Sequence, residues 1–136
     1  MSAQASRILV VEDDRFLRKA AEMALRREGY DVVVAADGEE ALQKTHETHP
    51  DLVLLDVIMP KLQGFEVLSR LKEDPATRAI PVIMMSNLGE DADIRAALKA
   101  GAAAYLVKSN VGLVELTAKV GETLSERTKS KVESSN

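Results

Sequence analysis

An α/β fold with a five-stranded parallel sheet and helices on both of its faces is what this sequence predicts. Three observations lead there: five short apolar runs, helical spacing in each interval after them, and turn-forming residues at the joints. The first run, ILVV (8–11), precedes a helix marked by Leu17, Ala21, Ala24 and Leu25, with Gly29 at its end. DVVVAA (31–36) follows, and Asp37-Gly38 opens a second helix carrying Ala41 and Leu42. LVLL (52–55) is third, and Gly64 opens a helix with Phe65, Leu68 and Leu71, whose end and turn lie in LKEDPATR (71–78). PVIMM (81–85) begins on a proline, tolerated where a strand starts because no ladder bond is lost. Its helix carries Ile94, Ala97 and Leu98 and stops at Gly101, where a left-handed cap costs glycine least. AAYLV (103–107) is the fifth run, and Leu113, Leu116, Val120 and Leu124 form one stripe on the last helix. Runs so apolar and so rich in β-branched residues suit strands buried on both faces. Strict strand–helix alternation implies parallel pairing with right-handed crossovers.

The chain has 136 residues, 46% hydrophobic and 29% charged, which is the size and composition of one domain. That domain is expected over 7–126, with 1–6 and 127–136 as flexible termini, since RTKSKVESSN (127–136) holds one apolar residue in ten. No run approaches the roughly eighteen apolar residues of a membrane span, and no charged leader precedes an apolar stretch. A cytoplasmic location without membrane contact is the expectation. With no cysteine, thiolate metal sites are excluded, so any metal must be held by oxygen or histidine. A formal charge of −4 argues against direct binding to nucleic acid, which needs Lys and Arg on phosphates.

In an open parallel sheet, ligands sit beyond the carboxyl ends of the strands. There the first run ends in Glu12-Asp13-Asp14, the third in Asp56, the fourth in Ser86-Asn87 and the fifth in Lys108-Ser109. Each ending alone has an ordinary explanation. Asp13 or Asp14 can cap a helix, Ser86 can satisfy a turn, and Lys108 can lay its stem on apolar neighbours. Asp56 fits such a reading poorly, because a loop rather than a helix follows it. A shared site explains all of the endings at once. Three gathered carboxylates repel one another unless a proton or a cation joins them, and Mg²⁺ is the cation that prefers hard oxygens and bridges carboxylates to phosphate. With Lys108 and a dication the charges balance. Asp56 is then the candidate nucleophile, since a carboxylate can form an acyl phosphate.

These residues resemble a known family. ILVVEDD, DLVLLDVIMPKLQG, IPVIMMSN and AGAAAYLVKS, in that order, are similar to the signatures of the response-regulator receiver domain of two-component signalling, over about residues 7–126. The resemblance implies a flavodoxin-like doubly wound (βα)5 domain of strand order 2-1-3-4-5, of the stand-alone chemotaxis-regulator type. It implies Asp56 as phosphoacceptor and Mg²⁺ as cofactor. The metal would be held by Asp13, Asp56 and the backbone carbonyl of Ile58, with Glu12 acting indirectly or through water. Ser86 would be the switch hydroxyl, Lys108 the cation that grips the phosphoryl group, and Tyr105 the aromatic that changes rotamer. The implied phosphodonor is a sensor histidine kinase or a histidine phosphotransfer protein. Output would pass to a downstream protein around the fourth helix, fifth strand and fifth helix, the receiver being a monomer or a phosphorylation-dependent dimer. Such a domain is a signalling switch rather than an enzyme, although it promotes its own phosphotransfer and dephosphorylation.

The pattern has departures. Asn87 stands where alanine or glycine is usual, controlling access to the phosphoryl group. Ser109 replaces the usual proline, which points to a trans Lys108–Ser109 bond, because a non-proline cis bond costs about 2.5–4 kcal/mol. Two other function classes compete: a pseudo-receiver that signals without phosphate, and a haloacid-dehalogenase-type phosphohydrolase. The latter would want an aspartate where Ile58 stands. His46 and His49, in HETH, read as a solvated helix end rather than a metal site, and Met59, Met84 and Met85 as packing residues.

Overall fold

A computed structural model describes residues 5–58, 63–87 and 91–134. The strands are β1 (Arg7–Val11), β2 (Asp31–Ala35), β3 (Leu52–Asp56), β4 (Val82–Ser86) and β5 (Ala104–Val107). The helices are α1 (Arg15–Arg27), α2 (Gly38–Thr48), α3 (Gly64–Glu73), α4 (Asp91–Lys99) and α5 (Leu113–Ser134). All strand pairs are parallel and the order is β2-β1-β3-β4-β5, the flavodoxin-like arrangement. Two strand boundaries differ from the apolar runs in a way that matters below: β3 includes Asp56 and β4 includes Ser86, so both polar residues belong to the ladder.

Side chains alternate across the sheet, which splits the core in two. Leu9, Val11, Val53, Leu55, Val82 and Met84 face α2, α3 and α4 through Ala41, Val67, Leu68, Leu71 and Ala97. Ile8, Val10, Leu52, Leu54, Ile83 and Met85 face α1 and α5 through Ala21, Leu25, Leu116 and Val120. Met84 and Met85 therefore pack as expected, and Met59 lies outside the described residues. Three apolar positions that helical spacing assigns inward are largely exposed instead: Leu17, Leu98 and Leu113. Each lies within three residues of an end of its helix.

Helix ends follow local chemistry. Asp14 caps α1 by accepting from the N–H groups of Phe16 and Leu17, and Asp37 caps α2 by accepting from Glu40. Gly29 and Gly101 take φ values of +93° and +107°, and His49, which ends α2, is also left-handed at φ 48°. α5 runs to Ser134, past residue 126, where the sequence reading ends the domain. The Lys108–Ser109 bond is trans, no cis peptide occurring among the described residues, and Lys108–Asn110 forms a short 3-10 turn ahead of α5.

The HETH segment has a structural role. Nδ1 of His46 lies 2.9 Å from the Leu42 carbonyl oxygen and Nε2 lies 2.8 Å from Oδ2 of Asp74, tying α2 to the end of α3. A carbonyl and a carboxylate can only accept, so both contacts are hydrogen bonds only when the ring is the doubly protonated imidazolium. The bond to Asp74, then that to Leu42, accordingly raises the His46 pKa above 6.5. The same bond to His46 lowers the Asp74 pKa below 3.8. The stabilisation from His46 is full below pH 6.5 and is lost as pH rises through its raised folded value; that from Asp74 is lost as pH falls through its depressed one. We expect His46→Gln to lower Tm at about pH 6 and to match the wild type by about pH 9, the gap being small because both partners are exposed. Parallel melting curves across that range check it; a gap that does not change with pH refutes the imidazolium.

Candidate functional site

Glu12 directly follows β1 and Asp56 ends β3, two adjacent strands whose last paired residues are Val11 and Leu55. Strand order reverses between β1 and β3, because β2 lies on one side of β1 and β3 to β5 on the other. This is the switch point at which open α/β sheets bind ligands. Carboxylate oxygens of Glu12, Asp13 and Asp56 lie within 4.8 Å of one another there. Glu12 and Asp56 are buried, at 2% and 4% exposure, and Asp13 is exposed.

Lys108, following β5, reaches back over the sheet end and places Nζ 2.5 Å from Oε1 of Glu12 and 3.2 Å from Oδ2 of Asp56. Burial of the ammonium is the largest influence on its pKa and pulls it down. The hydrogen bond to Glu12 and the negative charges of Asp56 and Glu12 outweigh it, so the pKa is raised and Lys108 stays charged. Oε2 of Glu12 accepts from the Asp14 N–H at 3.1 Å, and Oδ1 of Asp56 accepts from the Ile58 N–H at 3.3 Å. Three carboxylates against one ammonium leave an excess of negative charge. Its relief calls for a hard cation, and the donor set, all carboxylate oxygen with no histidine or cysteine, fits Mg²⁺.

Ser86, buried at the end of β4, is hydrogen-bonded to the Tyr105 hydroxyl. Burial, above all, raises the Tyr105 pKa; the Ser86 bond opposes this, and the charges of Asp93 and Asp56 add to it. Tyr105 therefore stays neutral and able to donate. Asn87 is exposed beside the site, on the wall of a cavity of about 450 Å³ that also touches Glu12, Lys108 and Ser109 and is otherwise lined by apolar residues of the sheet, of α1 and of α5 with the segment before it. Ile58 is half exposed. Asp14, one of the two acids that could cap a helix, is the one that does, which leaves Asp13 for the cluster. His46 and His49 stand apart from it: the only group of three possible metal ligands among the described residues is Glu12, Asp13 and Asp56.

The geometry depends on Gly64 at the start of α3. Its N–H donates to the Val57 carbonyl at 2.8 Å, and a Cβ there would stand 2.4 Å from the Asp56 carbonyl oxygen and 2.7 Å from the Val57 Cα. Only glycine lets the helix come this close to the backbone carrying Asp56. Sequence reading noted Gly64 as a helix opener and missed this contact. It also missed Arg18, whose guanidinium Nη1 lies 2.9 Å from the Glu12 carbonyl oxygen and 3.4 Å from that of Asp13. The available signal was an arginine one turn past the Asp14 cap.

Residues 8–120 match the family model of the response regulator receiver domain. The chain belongs to the response-regulator receiver family. Among relatives of this receiver, a gliding motility regulatory protein of Myxococcus xanthus is 43% identical over 124 residues, covering 91% of this chain and 16% of the relative. The probable transcriptional regulator ycf27 of Cyanophora paradoxa is 45% identical over 108 residues, 79% of this chain and 44% of that one. The receiver thus spans less than half the length of the curated relatives it matches. Among solved structures, a CheY-like response regulator receiver domain protein of Methanospirillum hungatei superposes with a TM-score of 0.86 at 31% identity, covering 93% of this receiver and 99% of that chain. A putative response regulator of Chloroflexus aurantiacus gives 0.84 at 34% identity, covering 90% and 99%. No helix among the described residues of the receiver is long and apolar enough to cross a membrane. As a member of this family the receiver is a two-component signalling domain rather than a classical enzyme, and histidine kinases are the partners of such domains.

Proposed function

We propose that this receiver acts as a cytoplasmic switch. It takes a phosphoryl group on Asp56 from a sensor histidine kinase or a histidine phosphotransfer protein, with Mg²⁺ present, and changes its binding surface for a downstream protein. The observation that carries this reading is the convergence of Glu12, Asp13 and Asp56 under Lys108 at the switch point of the sheet. One oxygen of Asp56 attacks the phosphorus of the phosphohistidine, the P–N bond breaks, and the imidazole leaves as Asp56 becomes an acyl phosphate. Catalysis of such a transfer rests on placing the reactants and neutralising the phosphoryl oxygens. Asp13, Asp56 and the Ile58 carbonyl would hold Mg²⁺, with Glu12 reaching it through water; the ion supplies positive charge to those oxygens. Lys108 supplies the second positive charge, already within reach of Asp56.

Once Asp56 carries phosphate, Ser86 has a stronger acceptor than Tyr105, and exchange of that partner draws in the end of β4 and frees the Tyr105 ring to change rotamer. The face formed by α4, β5 and α5 is then the output surface. Asn87 borders the approach to the phosphoryl group and sets how readily water removes it. Incubating the protein with Mg²⁺ and acetyl phosphate tests the proposal by intact-mass measurement. We expect a gain of one phosphoryl group in the wild type and none in Asp56→Asn. Absence of the gain in both would instead favour a receiver fold that signals without phosphate, and rapid multiple turnover of acetyl phosphate would favour a hydrolase.

A further inference from the structure

The loop that joins β1 to α1 carries two of the three clustered acids, and Asp13, being exposed, depends on the loop backbone for the place of its carboxylate. That backbone is fastened at several points. The Glu12 N–H donates to the Ala35 carbonyl, the Asp14 N–H donates to the Glu12 carboxylate, and the Asp14 carboxylate caps α1. One nitrogen of the Arg18 guanidinium donates to the Glu12 carbonyl at 2.9 Å and lies 3.4 Å from that of Asp13. Arg18 is itself fixed in the first turn of α1, its N–H donating to the Asp14 carbonyl at 2.9 Å. A side chain rooted in the helix thus grips the peptide units of the two acids.

We infer that Arg18 is a positioning residue for the divalent cation, holding Glu12 and Asp13 so that their carboxylates converge with Asp56 before any ion arrives. This rests on the reading that the cluster binds Mg²⁺. Two effects of Arg18 oppose each other. Its positive charge repels a cation, and its hydrogen bonds pre-order the ligands. Arg18 is half-buried and its contact with Asp13 is exposed, so salt screens part of the repulsion, while residues that orient metal ligands from behind commonly contribute about 10-fold to 100-fold in affinity. Ordering is therefore the larger effect, and an arginine beside an anionic metal site strengthens it.

Mg²⁺ titration by calorimetry of the full chain, at physiological ionic strength, separates the two effects. Arg18→Ala should bind Mg²⁺ about tenfold more weakly, and Arg18→Lys, which keeps donors on a shorter stem, should recover part of the loss. In phosphorylation by acetyl phosphate, the Mg²⁺ concentration for half-maximal rate should rise in Arg18→Ala while the rate at saturating Mg²⁺ returns to the wild-type value. Melting curves establish that each variant is folded, and Arg18→Gln replaces Arg18→Ala in the comparison if the alanine variant is not. Affinity in the neutral variant equal to or tighter than in the wild type overturns the inference and leaves the Mg²⁺ reading intact. Failure of the wild type to take up Mg²⁺ removes the reading and the inference together.

Discussion

Lys108→Met should destabilise the protein by about 2 kcal/mol when divalent cations are removed, and millimolar Mg²⁺ should return most of that loss. The substitution keeps the apolar stem and deletes the ammonium that the described ion pairs place against both Glu12 and Asp56. Removing one partner of a fully buried pair costs about 3–5 kcal/mol because a charge is left unpaired in a poor solvent. Here the carboxylates are buried but the Lys108 side chain keeps 20% exposure, so water softens the loss and the lower figure applies. Without the ammonium, Glu12, Asp13 and Asp56 face one another with nothing positive between them, and either a proton or a metal ion must take its place. The variant should thus gain more from Mg²⁺ than the wild type does, and its phosphorylation by acetyl phosphate should fall sharply even with the ion bound, since one of the two positive charges over the phosphoryl oxygens is gone. Urea unfolding in EDTA and in Mg²⁺ measures the first effect. Equal Mg²⁺ responses in both proteins would falsify the idea that Lys108 stands in for part of the metal's charge.

The second large effect is expected from Gly64→Ala. Alanine favours a helix over glycine by about 1 kcal/mol, so an open position would gain from the change. At Gly64 the added methyl meets the Asp56 carbonyl oxygen and the Val57 Cα, which are backbone and cannot turn aside. Forcing atoms into a filled space costs about 1–3 kcal/mol, and relief comes from moving α3 or the strand end that carries Asp56. We expect a net loss of about 2 kcal/mol together with phosphorylation slowed by roughly tenfold or more, since an error of about 1 Å in placement can cost far more than its effect on folding. Gly29→Ala is the matched control. Gly29 has φ +93° with nothing within 4 Å of a new Cβ, so alanine there is strained without touching the site. If Gly64→Ala and Gly29→Ala lose similar stability and both phosphorylate normally, the close approach at Gly64 is unimportant for the chemistry.

How much of this was legible beforehand varies by element. The strands were, because β3 and β4 are buried along their whole length and so read as continuous apolar runs. The helices were legible as helices, but spacing gives a stripe and not which of its members a neighbouring element covers, and Leu17, Leu98 and Leu113, near their helix ends, were assigned inward for that reason. Strand order came from the resemblance, since alternation fits several orders of five parallel strands. The site residues were legible as polar endings on one rim. Their pairing was not: Glu12 and Lys108 are 96 positions apart and meet only because β5 and β1 present their ends to the same edge. His46 and Asp74 were equally unreadable as a pair, because nothing local marks a histidine's partner on another helix.

The register of β1 on β3 has a further consequence. Val11 stands opposite Leu55, both wholly enclosed, and the acids come next along each strand. Because both faces of the sheet are covered, a slip of a single residue would not expose these side chains but would exchange them between the two apolar layers, each shaped for the other set, and would reverse the direction of the acids with them. The fit of two separate cores therefore also fixes which way the carboxylates face.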